Sequence, residues 1–431
     1  MRLIPALALA LHLTAPTSGE PPLDDEDVLG DIVVEPTETG RVGPRLMKIS
    51  VPEVSGSGPS AALAERVQHR DLELSGQFAF VDPDHTGLEA VVRTSVTTSG
   101  TDVRLTAAVY FDATAQAPAY ETSVSGGRYE ARMLTHRLVD AVIAILTGYR
   151  GPFVSALTFV TRRGDTRSVY TIDPDGHDLR RVTGPAQLAS AAAFGPDDAL
   201  YYAASVDNGR YRLYRDGQAE PFVFDPPGSI YAIAFSPDRT EVAMTIAVGR
   251  DVLLYRGASD FSGLHNVGKQ SLTLQPAFAR GGQLAAAGTN DERLRIRVDG
   301  RAVSPRAASA ASPTFCDHPD GVKLVYSIGA RNRSSIVSTD PRGRVTRRIS
   351  GGNRRDSHPA CSPDGRLVAF FSTRTTGEGP GLYVMRTDGH HARKIANVLG
   401  DSLQWSRRQT IDAVPLDGTS VQTGDEIGPQ Q

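Results

Sequence analysis

Cysteine is nearly missing from this chain: Cys316 and Cys361 are the two such residues among 431. So few thiols exclude a disulfide scaffold, and two buried free cysteines are the preferred reading, although an oxidising compartment would permit one bridge. Long apolar runs are missing as well. Past the N-terminus no segment approaches the roughly 20 apolar residues that a membrane-spanning helix needs, so no direct membrane insertion is expected. Charge of one sign does not dominate either. The 46 basic and 49 acidic residues leave a formal net charge of −3, and the arginines are scattered, which speaks against nucleic acid or an anionic membrane surface as partner. The patterns G-x-S-x-G, H-E-x-x-H, C-x-x-C and the Walker loop do not occur. The chain is therefore read as a non-enzyme that uses neither cofactor nor metal.

What is present begins with an export signal. Arg2 precedes an apolar run from Leu3 to Leu13 and then small residues up to Glu20, the three-part layout of a secretory signal peptide over residues 1–19. No lipidation cysteine follows, so the expected product is a cleaved, exported monomer in an aqueous compartment. Residues 20–44 form an acidic arm, with eight carboxylates and no basic residue between Glu20 and Gly40. Such a stretch is extended until something binds it. Within it the island Ile32-Val33-Val34 has strand propensity but no neighbour in sequence to pair with. It reads either as part of a solvated tail or as a partner-binding strand.

Residues 45–148 alternate strand patterns with two helical ones, 59–75 and 129–146, and so predict a small mixed α/β domain with a boundary at Gly148–Pro152. Beyond it the helical period vanishes. From 152 to 410 a motif recurs with anchors at Phe194, Phe235, Phe278, Phe315, Cys361 and Trp405, between 37 and 46 residues apart. The clearest copy is CSPDGRLVAFF, and a second strand-turn-strand landmark recurs six times in step with it. Four strands per unit of roughly 40 residues predict a six-bladed β-propeller of WD40-like repeats. The fold class is thus a multidomain one, α+β followed by all-β, with a flexible tail at 411–431.

The two series are offset. An outer hairpin at 169–183 precedes every anchor, and Trp405 has no hairpin after it, so the last strand should complete the first blade and close the ring. The Pro-Asp-Gly turns serve the backbone: Pro fixes φ, Asp bonds local amides and Gly accepts positive φ. His318 and His358 flank innermost strands of adjacent blades, where a ring of this kind gathers its ligand-binding loops. His390 and His391 sit on an outer turn as a solvated tip.

This order of parts resembles the TolB family of bacterial envelope proteins. The resemblance is carried by the acidic N-terminal segment, the mixed domain, the junction LTGYRGPFVSALTFV and six repeats with turns such as FSPDR and CSPDGRLVAFF. It implies a periplasmic adaptor of the Tol-Pal system that supports outer-membrane integrity and constriction during division. It further implies that the N-terminal strand engages the inner-membrane protein TolA, here through Ile32, Val33 and Val34, displaced behind an additional acidic stretch. The propeller face at the channel mouth would bind the peptidoglycan-associated lipoprotein Pal. The family's contacts come from the residue three before each anchor and preceding a proline, matched by Gln275, Ser312 and His358. Tyr231, Asp356 and Asp401 occupy comparable loops without the proline. The rival readings are a divergent propeller scaffold without these partners and a propeller hydrolase or lyase.

Overall fold

The structure, a computed structural model, describes residues 44–406 apart from 186, 207–208, 290–292, 331 and 352. The expected signal peptide, the tail and nearly all of the acidic arm, including Ile32, Val33 and Val34, lie outside the described residues. The chain divides into two compact units.

The first unit holds a five-stranded sheet of β1 (Met47–Ser50), β2 (Phe78–Phe80), β3 (Ala90–Ser99), β4 (Asp102–Tyr110) and β5 (Tyr120–Gly127), in the order β2-β1-β3-β4-β5. Alternation decides its buried face: Val103, Leu105, Ala107 and Val109 of β4 are all in the core, while Asp102 and Arg104 face out. Two helices cover that face. The first, Pro59–Leu74, starts with Pro at its first turn, where a missing N–H costs nothing, and buries Ala61, Ala64, Val67 and Leu72. The second, Ala131–Thr147, buries Leu134, Leu138, Ala141 and Val142 and stops at Gly148 in the left-handed region.

This unit runs past the expected boundary, to Ala156, and also takes in Asp173–His177. A buried carboxylate explains the first extension. Asp140 on the second helix accepts the backbone N–H groups of Phe153 and Val154 at 3.0 and 2.8 Å, which anchors the junction to the helix. Gly151 is required there, because a Cβ would lie 2.3 Å from Asp140 Oδ1.

The second unit is mostly β. Its innermost strands are Gln187–Phe194, Ser229–Phe235, Leu272–Phe278, Ser309–His318, Asp356–Cys361 and Asp401–Trp405. Each packs beside the next, and the last packs beside the first, so they form a closed cycle. Asp401–Trp405 also pairs antiparallel with Leu157–Arg163, the first strand of the unit, with Trp405 opposite Leu157. Among the described residues the unit's sheets number five rather than six. One holds three strands, one eight and three hold four. The eight-stranded sheet is two meanders joined through the parallel pair Val252 and Leu272. Among the described residues the three-stranded one has no fourth strand; the Phe222 N–H donates across to Leu213 O at 2.8 Å, between Pro221 and the pair Pro226-Pro227, which have no N–H to extend the ladder.

The Ser-Pro-Asp turns are closed on themselves, as expected. Asp364 Oδ1 accepts from Arg366 N at 3.2 Å and Ser362 Oγ from Leu367 N at 2.9 Å.

The cysteines correct the sequence reading. Cys316 and Cys361 are joined in a disulfide, not free, with their Cα atoms 5.4 Å apart across 45 residues of sequence. One repeat separates them along the chain, and neighbouring innermost strands lie side by side, so the closed cycle brings them together. Closing a loop of this length stabilises the fold by roughly 4 kcal/mol in the chain-entropy account.

Trp405 is buried at the closing strand. Trp405→Ala should therefore cost about 3–5 kcal/mol, read as a lower urea midpoint by far-UV circular dichroism. An unchanged midpoint would show that the last strand contributes nothing to closure.

Candidate functional site

The innermost strands share one irregularity. In each, an extra residue interrupts the register with the neighbouring strand: Ser190, Tyr231, Gln275, Ser312, His358 and Ser402 stand at these bulges. Gln275, Ser312, His358 and Ser402 have φ between 52° and 54°, a region that costs a non-glycine residue about 1–2 kcal/mol. Proline follows the first three but not Ser402, so a following proline is not required for this conformation, and Ser190 and Tyr231 stand at bulges without adopting it. The same strain at four equivalent positions aims side chains out of the strand direction toward one end of the cycle.

There they meet. The Ser312 N–H donates to Gln275 Oε1 at 2.8 Å, and Ser312 Oγ lies 3.1 Å from His358 Nδ1. The Ser402 N–H donates to the same Nδ1 at 3.3 Å, and the Gln275 amide nitrogen stands 3.5 Å from it. Ser402 Oγ in turn donates to Ser190 O at 3.4 Å, and Ser190 Oγ to Ile230 O at 3.0 Å. A backbone N–H can only donate, so His358 Nδ1 carries a lone pair and the proton sits on Nε2. Burial, with Arg355 and Arg167 opposing Asp401, lowers the His358 pKa and keeps the ring neutral. The cluster therefore holds a neutral imidazole among hydroxyls and an amide, with the Ser312 hydroxyl donating to its Nδ1.

Of the residues expected at this site, Gln275, Ser312 and His358 are brought together. Tyr231 occupies its own bulge, 38% exposed. Asp401 is the neighbour of the bulged residue, and both its oxygens accept from Arg167 at 3.0 Å. Asp356 is fully buried beside Arg374, which leaves it no surface for a partner. His318 ends its strand six residues beyond Ser312, at the opposite end from the bulges, where its Nδ1 accepts the Asp320 N–H. Ser190 and Ser402 escaped the sequence reading because no proline follows them. Counting three residues back from Trp405 would have found Ser402.

The first unit contains a second polar cluster. His136 Nδ1 bonds Asp71 Oδ2 at 2.6 Å with both groups buried, and Arg132 bonds Asp173 at 3.3 Å and also Asp175. Asp71, His136 and Asp175 bring three donor atoms within 4.8 Å. Arg132 already supplies cationic charge to Asp175, and His136 to Asp71, so the arrangement is a self-compensated ion network. Burial alone would lower the His136 pKa, but the charge and hydrogen bond of Asp71, with Asp175 behind, push it up to about 9. Burial raises Asp140 to about 7 against the pull of its two backbone N–H donors.

No family model matches the chain. Among curated proteins it is similar to the Tol-Pal system protein TolB of Geobacter sulfurreducens, 26% identical over 173 residues, or 35% of this chain and 40% of that protein. It is also similar to TolB of Syntrophus aciditrophicus, 35% identical over 112 residues, or 24% and 22% of the two chains. The matches thus span less than half of these relatives. A solved structure, TolB from Acinetobacter baumannii, aligns with TM-score 0.69 at 18% identity over 84% of this chain and 96% of that one. That likeness establishes a mostly-β, propeller-like fold.

The ion network predicts how stability follows pH. A raised histidine contributes fully below its ordinary value of 6.5, and the contribution is lost as pH rises through about 9. Asp140 acts in the same direction between its ordinary 3.8 and about 7. Urea unfolding at pH 6.5, 8 and 9.5 should show stability falling across the series. His136→Gln should start lower and flatten the slope; an equally steep slope in that variant would remove His136 from the account.

Proposed function

We propose that this chain, which resembles the TolB family in domain order, repeats and fold, is a non-enzymatic periplasmic adaptor of the Tol-Pal system. It binds the lipoprotein Pal through the bulge ring and TolA through Ile32, Val33 and Val34, and so supports outer-membrane integrity and constriction. The observation that carries this reading is the convergence of Gln275, Ser312 and His358 from separate repeats onto one hydrogen-bonded cluster. A cluster of hydroxyl, amide and imidazole groups gathered at one end of the ring suits protein recognition.

The ring is read as six blades, with the eight-stranded sheet counted as two and the closing strand as part of the first. An exported location is supported by the signal-like N-terminus and by the disulfide, which persists in oxidising compartments. Among the described residues no helix is long and apolar enough to cross a membrane.

His358→Ala should weaken binding of purified Pal by about 1–3 kcal/mol with little change in folding, because the side chain lies at the bulge and not in a blade core. His390→Ala, on the outer turn, should have no effect. Isothermal titration separates the outcomes: equal affinities for the two variants would move the interface away from the ring.

Strand addition by the arm would draw affinity from backbone hydrogen bonds. Val33→Pro should then abolish co-purification with TolA while the melting temperature stays the same. Retained TolA binding would exclude this mode.

A further inference from the structure

Two of the six bulges are joined by something that the others lack. Cys316 follows Ser312 by four residues on Ser309–His318, and Cys361 follows His358 by three on Asp356–Cys361. The disulfide thus links the two strands that deliver the hydroxyl and the imidazole of the ring site. These strands belong to different sheets, and no backbone ladder runs between them; each pairs with the second strand of its own sheet. Their mutual position otherwise depends on side-chain packing, on hydrogen bonds at the bulges and on one parallel bridge between Ser334 and Arg355, where Ser334 Oγ also donates to Asp356 O at 2.7 Å; neither the bridge nor that bond joins the strands near Cys316 and Cys361. At the same end, the Ser312–His358 contact at 3.1 Å and the Ser402–His358 contact at 3.3 Å demand alignment to a fraction of an ångström.

We infer that the Cys316–Cys361 disulfide is a positioning element of the ring site, holding Ser312 and His358 in mutual register so that His358 keeps its Nδ1 as acceptor and offers Nε2–H outward. The inference rests on the proposed role of that site in binding Pal. It adds that the site is pre-organised by a covalent link buried behind it, with Cys316 fully inside the core. Pre-organisation of this kind improves affinity by removing the ordering that binding would otherwise demand. Without the link the two strands can shift against each other, the donors on Nδ1 separate, and the imidazole loses its single tautomer.

The test uses the full mature chain in two states, disulfide-bonded and Cys316→Ala/Cys361→Ala, at a temperature where circular dichroism shows both folded. Histidine labelled at Cε1 reports the His358 titration by NMR, assigned by its loss in His358→Ala, and isothermal titration reports affinity for purified Pal. In the bonded protein His358 should titrate below the ordinary histidine value, as its burial beside Arg355 and Arg167 requires. In the disulfide-free variant the titration should move back up, and affinity should fall roughly fivefold or more.

Met244→Ala, a buried substitution elsewhere in the ring, lowers the melting temperature without touching either strand and should leave the His358 titration in place. An unchanged His358 titration and unchanged affinity in the disulfide-free variant would overturn the inference. So would an equal shift in Met244→Ala, which would reduce the disulfide to general stability. If His358 responds to loss of the disulfide but neither form binds Pal, the positioning role stands and the functional reading fails.

Discussion

Everything in the second unit depends on one antiparallel pairing, that of Asp401–Trp405 with Leu157–Arg163. Residues from the two ends of the unit meet there, so the cycle of innermost strands has no first or last member. An open row of the same sheets would leave strand edges free and would let each sheet rotate about its neighbour. Closure removes that freedom. It also makes equivalent positions in successive repeats face one axis, which is why residues some 40 positions apart in sequence come within hydrogen-bonding distance.

The bulges convert closure into a site. A regular strand would alternate its side chains between the two faces of its own sheet and direct none along the axis. One extra residue per strand, four of them at positive φ, breaks the alternation and turns Gln275, Ser312, His358 and Ser402 toward one another. The conformational cost at each position is tolerated because the neighbours on either side are locked in ladders. His358 then collects donors from three other strands, and this fixes its tautomer without any charged partner in direct contact.

The first unit solves a different problem. Its helices and the Asp173–His177 segment bury carboxylates, and each is compensated locally: Asp71 by His136, Asp175 by Arg132, and Asp140 by two backbone N–H groups. Removing one partner from such a network leaves a charge stranded in the core, which is more damaging than the intact pair is stabilising. The network therefore acts as a constraint on which conformations the unit can adopt more than as a source of stability.

The sequence by itself determined the class of each unit. Helical spacing around Val67 and Leu138, alternation through β4 and six anchors at near-constant spacing are local patterns, and local patterns survive in a linear string. Through the family resemblance it also pointed to Gln275, Ser312 and His358, each three residues before an anchor and followed by proline. It did not identify Ser190 and Ser402, which have no such mark, and it favoured free thiols at Cys316 and Cys361. It also kept Asp356 among the lower-ranked contacts, whereas that side chain is buried. Those outcomes were decided by tertiary structure alone. Which strands lie side by side, which side chain a neighbour covers and which two sulfurs come within bonding distance follow from closure of the ring, a relation between residues 45 to more than 200 positions apart that no window of sequence contains.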